Sequence, residues 1–277
     1  MIELPEAMTI AKQMHAELTG KRIVDVVRGA SPHKFAFYGP LSEEEYIRRL
    51  KGALLGETTW HGMHTLTTVG DDHILALGGG GERILYHRDE GSIPKKHQLL
   101  LRFADGDALT VSVSGWGSVF CLTNEELLGQ GHIRYGQPQP LSDAFTFESF
   151  AQTFSARAPE DKTSIKYHLI SEPGVAGVGN GYLQDILFYA GIHPRRRVVE
   201  IKDRQQHKLY GALISTLQRA AELGGRDTER DLYNRPGGYA RLMDTRTAGQ
   251  PCPKCGAEIV KISYLGGACY LCPECQR

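Results

Sequence analysis

Four cysteines near the carboxyl end carry the clearest chemistry in the chain. Cys252 and Cys255 form C-P-K-C, Cys272 and Cys275 form C-P-E-C, and 16 residues separate the two pairs. Each knuckle presents two thiolates from one tight turn, and two knuckles complete a tetrahedral all-sulfur shell of the kind that holds structural Zn2+. Pro253 and Pro273 help set the turns, and Gly256 follows the first knuckle, where positive φ is useful. The intervening AEIVKISYLGGACYL predicts two short strands turning at Gly266-Gly267. Two disulfides are the alternative, which an expected cytoplasmic setting disfavours. Cys269 sits three residues before Cys272, but the paired spacing selects Cys272, leaving Cys269 and Cys121 as free thiols. A closed four-cysteine shell is structural rather than catalytic.

A second constellation lies at 173–180, P-G-V-A-G-V-G-N, followed by G-Y-L-Q-D-I-L-F-Y-A-G-I-H-P. A short helix, a glycine-rich double turn and a second helix make a variant of the helix-turn-helix plan. Backbone N–H groups at the second helix's start suit a phosphate oxygen. Asn180 is expected to cap that helix and to donate from its amide, with Lys166 supplying a cation on the same side. From these residues alone, a tightly packed helical hairpin is an equal reading. By contrast, Gly78-Gly79-Gly80-Gly81 is not expected to be a phosphate loop: no Gly-Lys-Ser/Thr follows, and the run falls between strands.

These residues stand in a recognisable order. Glu3-Leu4-Pro5-Glu6, Ile165-Lys166, Gly177-Val178-Gly179-Asn180-Gly181-Tyr182, Ala190-Gly191-Ile192-His193-Pro194 and the Cys252–Cys275 ribbon ending in Gln276 are spaced along nearly the whole chain. In that order and spacing the chain resembles the formamidopyrimidine-DNA glycosylase/endonuclease VIII (Fpg/Nei) family. The resemblance implies a two-sheet β-sandwich, a helix–two-turn–helix domain and a zinc finger gripping damaged DNA. It also implies excision of oxidised bases and nicking of abasic DNA through a Schiff base, with Lys166 and Asn180 holding the phosphates that flank the lesion.

The departures from that pattern concern the chemistry. The family's usual start is Met-Pro-Glu-Leu-Pro-Glu, and the proline amine, freed by methionine removal, attacks C1′. Position 2 here is Ile2, whose bulk is expected to block removal of Met1. One extra residue displaces the amine by about 3.8 Å, against a tolerance where about 1 Å can cost a hundredfold. Met1 and Ile2 are therefore the tentative nucleophile positions, and Glu3 is the retained carboxylate able to protonate an opening sugar or leaving base. The family's hairpin lysine aligns with Met63, beside His64. Its void-filling residues align with Gly78–Gly81 and with Ser114-Gly115-Trp116-Gly117, and its finger-tip arginine aligns with Gly267. His64 and Trp116 are the candidate replacements for the family's missing lesion-reading groups. An exposed Trp116 would stack on or wedge between bases, whereas a core Trp116 would only pack.

The elements that must position these groups follow from periodicity. Leu4–Leu18 reads as a helix with Pro5 in its first turn and Met8, Ala11, Met14 and Leu18 on the core stripe. Residues 22–38 look like strands, and Ser42 with Glu45 starts a helix over about 43–53. Short alternating runs fill 57–122, the pattern of a sandwich or barrel. The period then turns helical over 147–154, 164–170, 182–189 and 207–223, with irregular chain from 224 to 250. The expected class is α+β: a β-sandwich domain at 1–140, a helix–two-turn–helix domain at 141–247 and a zinc ribbon at 248–277.

Composition sets the outer limits. The chain has 277 residues, 32 Lys+Arg and 32 Asp+Glu, so its formal net charge is zero. That balance hides an asymmetry: residues 1–160 carry 15 cationic against 20 acidic side chains, and residues 161–277 carry 17 against 12. The basic excess therefore lies in the half with the phosphate-binding pattern. No apolar run approaches the roughly 18 residues of a membrane span, and no secretion signal is evident. The expectation is a cytoplasmic, nucleoid-associated monomer whose partner is damaged or abasic duplex DNA. The alternative is a catalytically inactive binder of DNA or RNA on the same scaffold.

Overall fold

The computed structural model describes residues 1–29, 33–155, 157–158 and 160–277. The chain divides into two compact units, residues 1–137 with 223–238, and residues 138–222 with 239–277. This differs from three consecutive domains: the helices and the ribbon share one unit, and 223–238 returns to the first.

The first unit opens with helix α1 (Leu4–Leu18), then β1 (Ile23–Arg28), β2 (Ala36–Phe37) and α2 (Glu43–Leu50). Seven strands follow: β3 (Leu55–His61), β4 (His64–Val69), β5 (His73–Gly78), β6 (Glu82–His87), β7 (Leu99–Phe103), β8 (Ala108–Val113) and β9 (Gly117–Thr123). They form a four-stranded sheet, β1-β7-β8-β6, and a five-stranded sheet, β2-β9-β5-β4-β3. All pairings are antiparallel except β2 with β9.

Period-two alternation explains the layering. Leu99, Leu101 and Phe103 of β7, Leu109, Val111 and Val113 of β8, and Leu75 and Leu77 of β5 join one core with α1. The other face of the five-stranded sheet is buried too, with Ala76, Phe120 and Leu122 under Leu127 and Ile133. Leu127 belongs to a short helix, α3 (Asn124–Leu128), capped by Thr123. On α1, Ala11, Met14 and Leu18 are in the core as expected, together with Ala7 and Ile10, while Met8 is half-buried.

The second unit contains α4 (Phe147–Ser155), α5 (Ile165–Ile170), α6 (Asn180–Ala190), α7 (Asp203–Glu222) and a hairpin of β10 (Val260–Tyr264) with β11 (Gly267–Leu271). Nearly every residue of α6 is buried, and Gly191 ends it at φ 72°. Phe188 of α6 packs on Met243 and on Cys252, Ile259 and Cys272 of the ribbon. Asp185, fully buried, accepts hydrogen bonds from Tyr239 Oη (2.8 Å), Leu242 N (3.0 Å) and Met243 N (2.8 Å). Burial raises its pKa, and those three donors oppose the rise. Helices and ribbon thus share a core. Among the described residues, no helix is long and apolar enough to cross a membrane.

Candidate functional site

In the first unit the amino terminus, the glycine run and the Trp116 loop are stitched together. Ile2 donates its N–H to Gly80 O at 2.9 Å, and its side chain is 3% exposed within the sandwich core. Gly81 N bonds Trp116 O and Ser114 N bonds Gly81 O, both at 2.8 Å. The glycine run exists because backbones meet there. A Cβ would lie 2.2 Å from Met63 O at Gly78, 2.5 Å from His64 Nε2 at Gly79, 2.0 Å from Trp116 O at Gly80 and 1.8 Å from Ser114 O at Gly81. No side chain fits at any of the four positions, which accounts for the run without a phosphate.

Glu82 ties the same loops, accepting from Gly80 N (2.8 Å) and Ser118 N (2.7 Å). Burial pushes its carboxyl up to about 7, against the lowering effect of those donors. His64 does not reach the surface: it is 3% exposed at the start of β4, its Nε2 has no hydrogen-bond partner among the described residues, and burial pulls it down to about 3. The reason is its register, which turns the ring inward against Gly79. Trp116 is 42% exposed, so it is not a core tryptophan.

Glu3 is fully buried at the start of α1, in a capping box with Glu6, whose carboxylate accepts the Glu3 N–H at 3.0 Å. Arg226, 3% exposed, donates to Glu3 Oε1 (3.2 Å), to Glu6 Oε1 (3.0 Å) and Oε2 (3.2 Å), and to Met1 O. Its backbone N–H bonds Glu6 Oε1 at 2.9 Å. Gly225 makes that approach possible: its φ is +92°, and a Cβ there would lie 2.9 Å from Glu6 Cγ. The Met1 ammonium pairs with Glu229 at 2.8 Å. Sequence reasoning missed Arg226, Glu229 and Glu82. The 224–250 stretch has no periodicity, and only Gly224-Gly225 before Arg226 marks a tight backbone.

In the second unit, Lys166 and Asn180 converge beneath Gly267. Lys166 is 1% exposed, and its Nζ donates to Tyr264 O (2.8 Å) and Cys269 Sγ (3.4 Å). Asn180 Nδ2 donates to Ala268 O at 3.3 Å, and its Oδ1 accepts from Gln184 at 2.9 Å. A Cβ on Gly267 would meet Asn180 Nδ2 at 3.4 Å and Lys166 Nζ at 3.5 Å. The two expected phosphate ligands are thus together, facing Gly267, the position expected from the resemblance to carry an arginine. Asn180 does not cap α6: the N-cap is Gly179, and the Asn180 amide is drawn to the ribbon instead.

The ligand atoms of Cys252, Cys255, Cys272 and Cys275 all lie within 4.8 Å of one another, while Cys269 stands outside the set. The closest sulfur pairs are 3.4 and 3.9 Å apart, near the ~3.8 Å edge of a tetrahedron with 2.3 Å metal–sulfur bonds. This cluster fits a metal ion. Cys121 is a core residue, and burial pushes its thiol up to about 12.

Comparison with known proteins bears on both units. The model of the formamidopyrimidine-DNA glycosylase H2TH domain matches residues 137–231. A formamidopyrimidine-DNA glycosylase of Roseiflexus sp. is 31% identical over 293 residues, covering all of both chains. One from Lactococcus lactis subsp. cremoris is 27% identical over 284 residues, again covering both completely. Among solved structures, the complex between wild-type Lactococcus lactis Fpg and an N7-benzyl-Fapy-dG containing DNA is similar with TM-score 0.86, at 25% identity over 99% of each chain. The complex of the Lactococcus lactis protein with a THF-DNA and an inhibitor gives 0.85, with the same identity and coverage.

Proposed function

Because the chain belongs to the formamidopyrimidine-DNA glycosylase family, we propose that it is a damaged-DNA-binding repair protein that keeps the grip and gives up the amine chemistry. The observation that carries this reading is Ile2: its side chain is 3% exposed in the core and its nitrogen is bonded to Gly80 O, and with Met1 kept, as the bulk of Ile2 favours, that nitrogen is an amide. An amide nitrogen is no nucleophile, and forming an imine or iminium with an abasic sugar needs a free amine. Glu3 is fully buried and accepts from Arg226 at 3.2 Å.

The grip rests on Lys166 and Asn180. A lysine ammonium has three donors; Tyr264 O and Cys269 Sγ engage two of them. The third, with the Asn180 amide, serves a phosphate oxygen that enters over Gly267. Zn2+ in the four-cysteine cluster is structural, since it leaves no open position for chemistry; it keeps β10 and β11 closed over Lys166. Trp116 supplies an aromatic face for a base. The protein acts as a monomer on chromosomal DNA in the cytoplasm, and RNA is the competing ligand. A divergent glycosylase/AP lyase is the second reading, favoured by a Met1 that is 45% exposed. Against that reading, the Met1 amino group is held by Glu229 at 2.8 Å.

The test is a binding titration with abasic-site duplex, undamaged duplex and duplex RNA across a salt series. The reading expects the abasic duplex to bind tightest, with affinity falling steeply with salt. No binding to any duplex at low salt overturns it.

A further inference from the structure

A cavity of about 760 Å³ opens on the first unit between β2 and the loop that carries Trp116. Its size is that of ligand sites, roughly 300–1,000 Å³. Phe35, Phe37 and Trp116 line it while remaining 47%, 45% and 42% exposed, and the nearly buried Phe120 also contributes to its lining. Large apolar residues exposed together on one surface mark a binding site far more often than scattered ones do. Their arrangement is built in. β2 pairs in parallel with the start of β9, with Ala36 opposite Gly117 and Phe37 opposite Ser118, and Gly117 N bonds Phe35 O at 2.9 Å. Phe35, in the turn closed by Ala36 N to His33 O at 3.1 Å, and Phe37 of β2 both line the cavity beside the Trp116 loop.

We propose that this cavity is a binding site for one unpaired nucleobase, a proposal that rests on the DNA-directed reading above. A base has two apolar faces and a polar edge, and the lining matches both. Phe35, Phe37, Tyr38, Trp116 and Phe120 bring five aromatic rings to the lining, and stacking faces accept any base because every base has a π-face. Arg28 and His132 supply polar groups, and among the described residues the cavity lining includes no carboxylate. Arg28 is fixed, lying 4.3 Å from the Tyr38 ring centroid and donating to Leu41 O at 3.0 Å. The site is also continuous with Trp116, the aromatic side chain assigned to base contact. It receives a base that has left the stack without the protein needing to act on it.

The probe is a duplex carrying a single bulged 2-aminopurine, compared with the fully paired duplex of the same sequence. Wild type is expected to prefer the bulged duplex by about fivefold or more, the low end for one base stacked on an aromatic side chain, and to quench the bulged base. F35A/F37A is expected to keep its affinity for the paired duplex and its melting temperature, and to lose both preference and quenching. Because these side chains are already half exposed, the pair of substitutions leaves the core intact. As a second variant, W116A is expected to lose the quenching, and W116F to recover it. Persistence of the bulge preference in F35A/F37A overturns the proposal, and is the result that a pocket for an apolar peptide would give. Equal loss on both duplexes overturns it too. If wild type binds neither duplex, the DNA-directed reading itself has failed; binding without a bulge preference sinks the cavity alone.

Discussion

Replacing Arg226 with methionine tests the buried charge cluster that holds the amino terminus. Arg226 is 3% exposed, and the carboxylates it serves, Glu3 and Glu6, are 0% and 2% exposed. R226M keeps the volume of the stem but leaves two carboxylates out of water with their shared counter-charge gone. Breaking a buried pair from one side costs about 3–5 kcal/mol, a large part of a typical stability of roughly 5–15 kcal/mol. For a chain of this size each kcal/mol moves the midpoint by roughly 2–4 °C, so the expected fall is about 6–20 °C. The assay is thermal unfolding followed by circular dichroism, with a second variant to locate the cause. Adding E6Q to R226M removes one stranded charge and should recover a substantial part of the loss, whereas E6Q alone should destabilise. The exposed pair Arg88–Glu17 is the control, since Arg88 is 72% exposed and R88A should leave the midpoint unmoved. An R226M midpoint at the wild-type value, or no recovery on adding E6Q, refutes the reasoning.

Acid sensitivity follows from the buried histidines. Burial lowers His64 to about 3 and His168 to about 4, so below the unfolded value of 6.5 the unfolded chain binds more protons than the folded one. Each therefore removes up to about 1.4 kcal/mol per pH unit as pH falls from 6.5 toward its folded pKa. Glu82, raised to about 7, works in the opposite sense between about 4.5 and 7; melting temperature against pH should flatten on the acid side in H64F and steepen there in E82Q. An H64F profile parallel to wild type contradicts this. Chelating the metal should raise amide exchange across 248–277 and at the start of α6, where Asn180 and Gln184 bond the ribbon; unchanged exchange there would show that the ribbon is held without metal. K166M/N180A should weaken binding to every duplex alike and reduce the salt slope by about 0.9 for each phosphate no longer neutralised, and an unaltered slope would remove both residues from the interface.

What the sequence made legible was local. The ribbon was readable because zinc-type spacing is a short-range pattern, and α1 because Pro5, Ala11, Met14 and Leu18 announce a start and a stripe. The helical half was readable from its period, and Lys166 with Asn180 from the glycine-rich turn between them. The illegible features are contacts between distant segments. Arg226 meets Glu6 across 220 positions, and nothing near either residue names the other. The glycine run looked like a loop motif, but its cause is four backbone or ring atoms contributed by Met63, His64, Ser114 and Trp116. Asn180 stood where a cap belongs, yet tertiary contact with Ala268 took its amide and left the cap to Gly179. The aromatic cavity joins residues 35–37 to 116–120 through one parallel pairing that no turn signal predicts.

The proposed function requires the amine chemistry to be absent while the grip on DNA remains. Borohydride reduction of the protein mixed with abasic-site duplex, at a protein concentration that saturates binding, tests it most directly. Any imine formed at an N-terminal amine would be fixed as a covalent adduct, visible as a mass increase on the peptide containing Met1 and Ile2. The account predicts saturated binding and no adduct on that peptide. An adduct there would contradict it and restore the lyase reading.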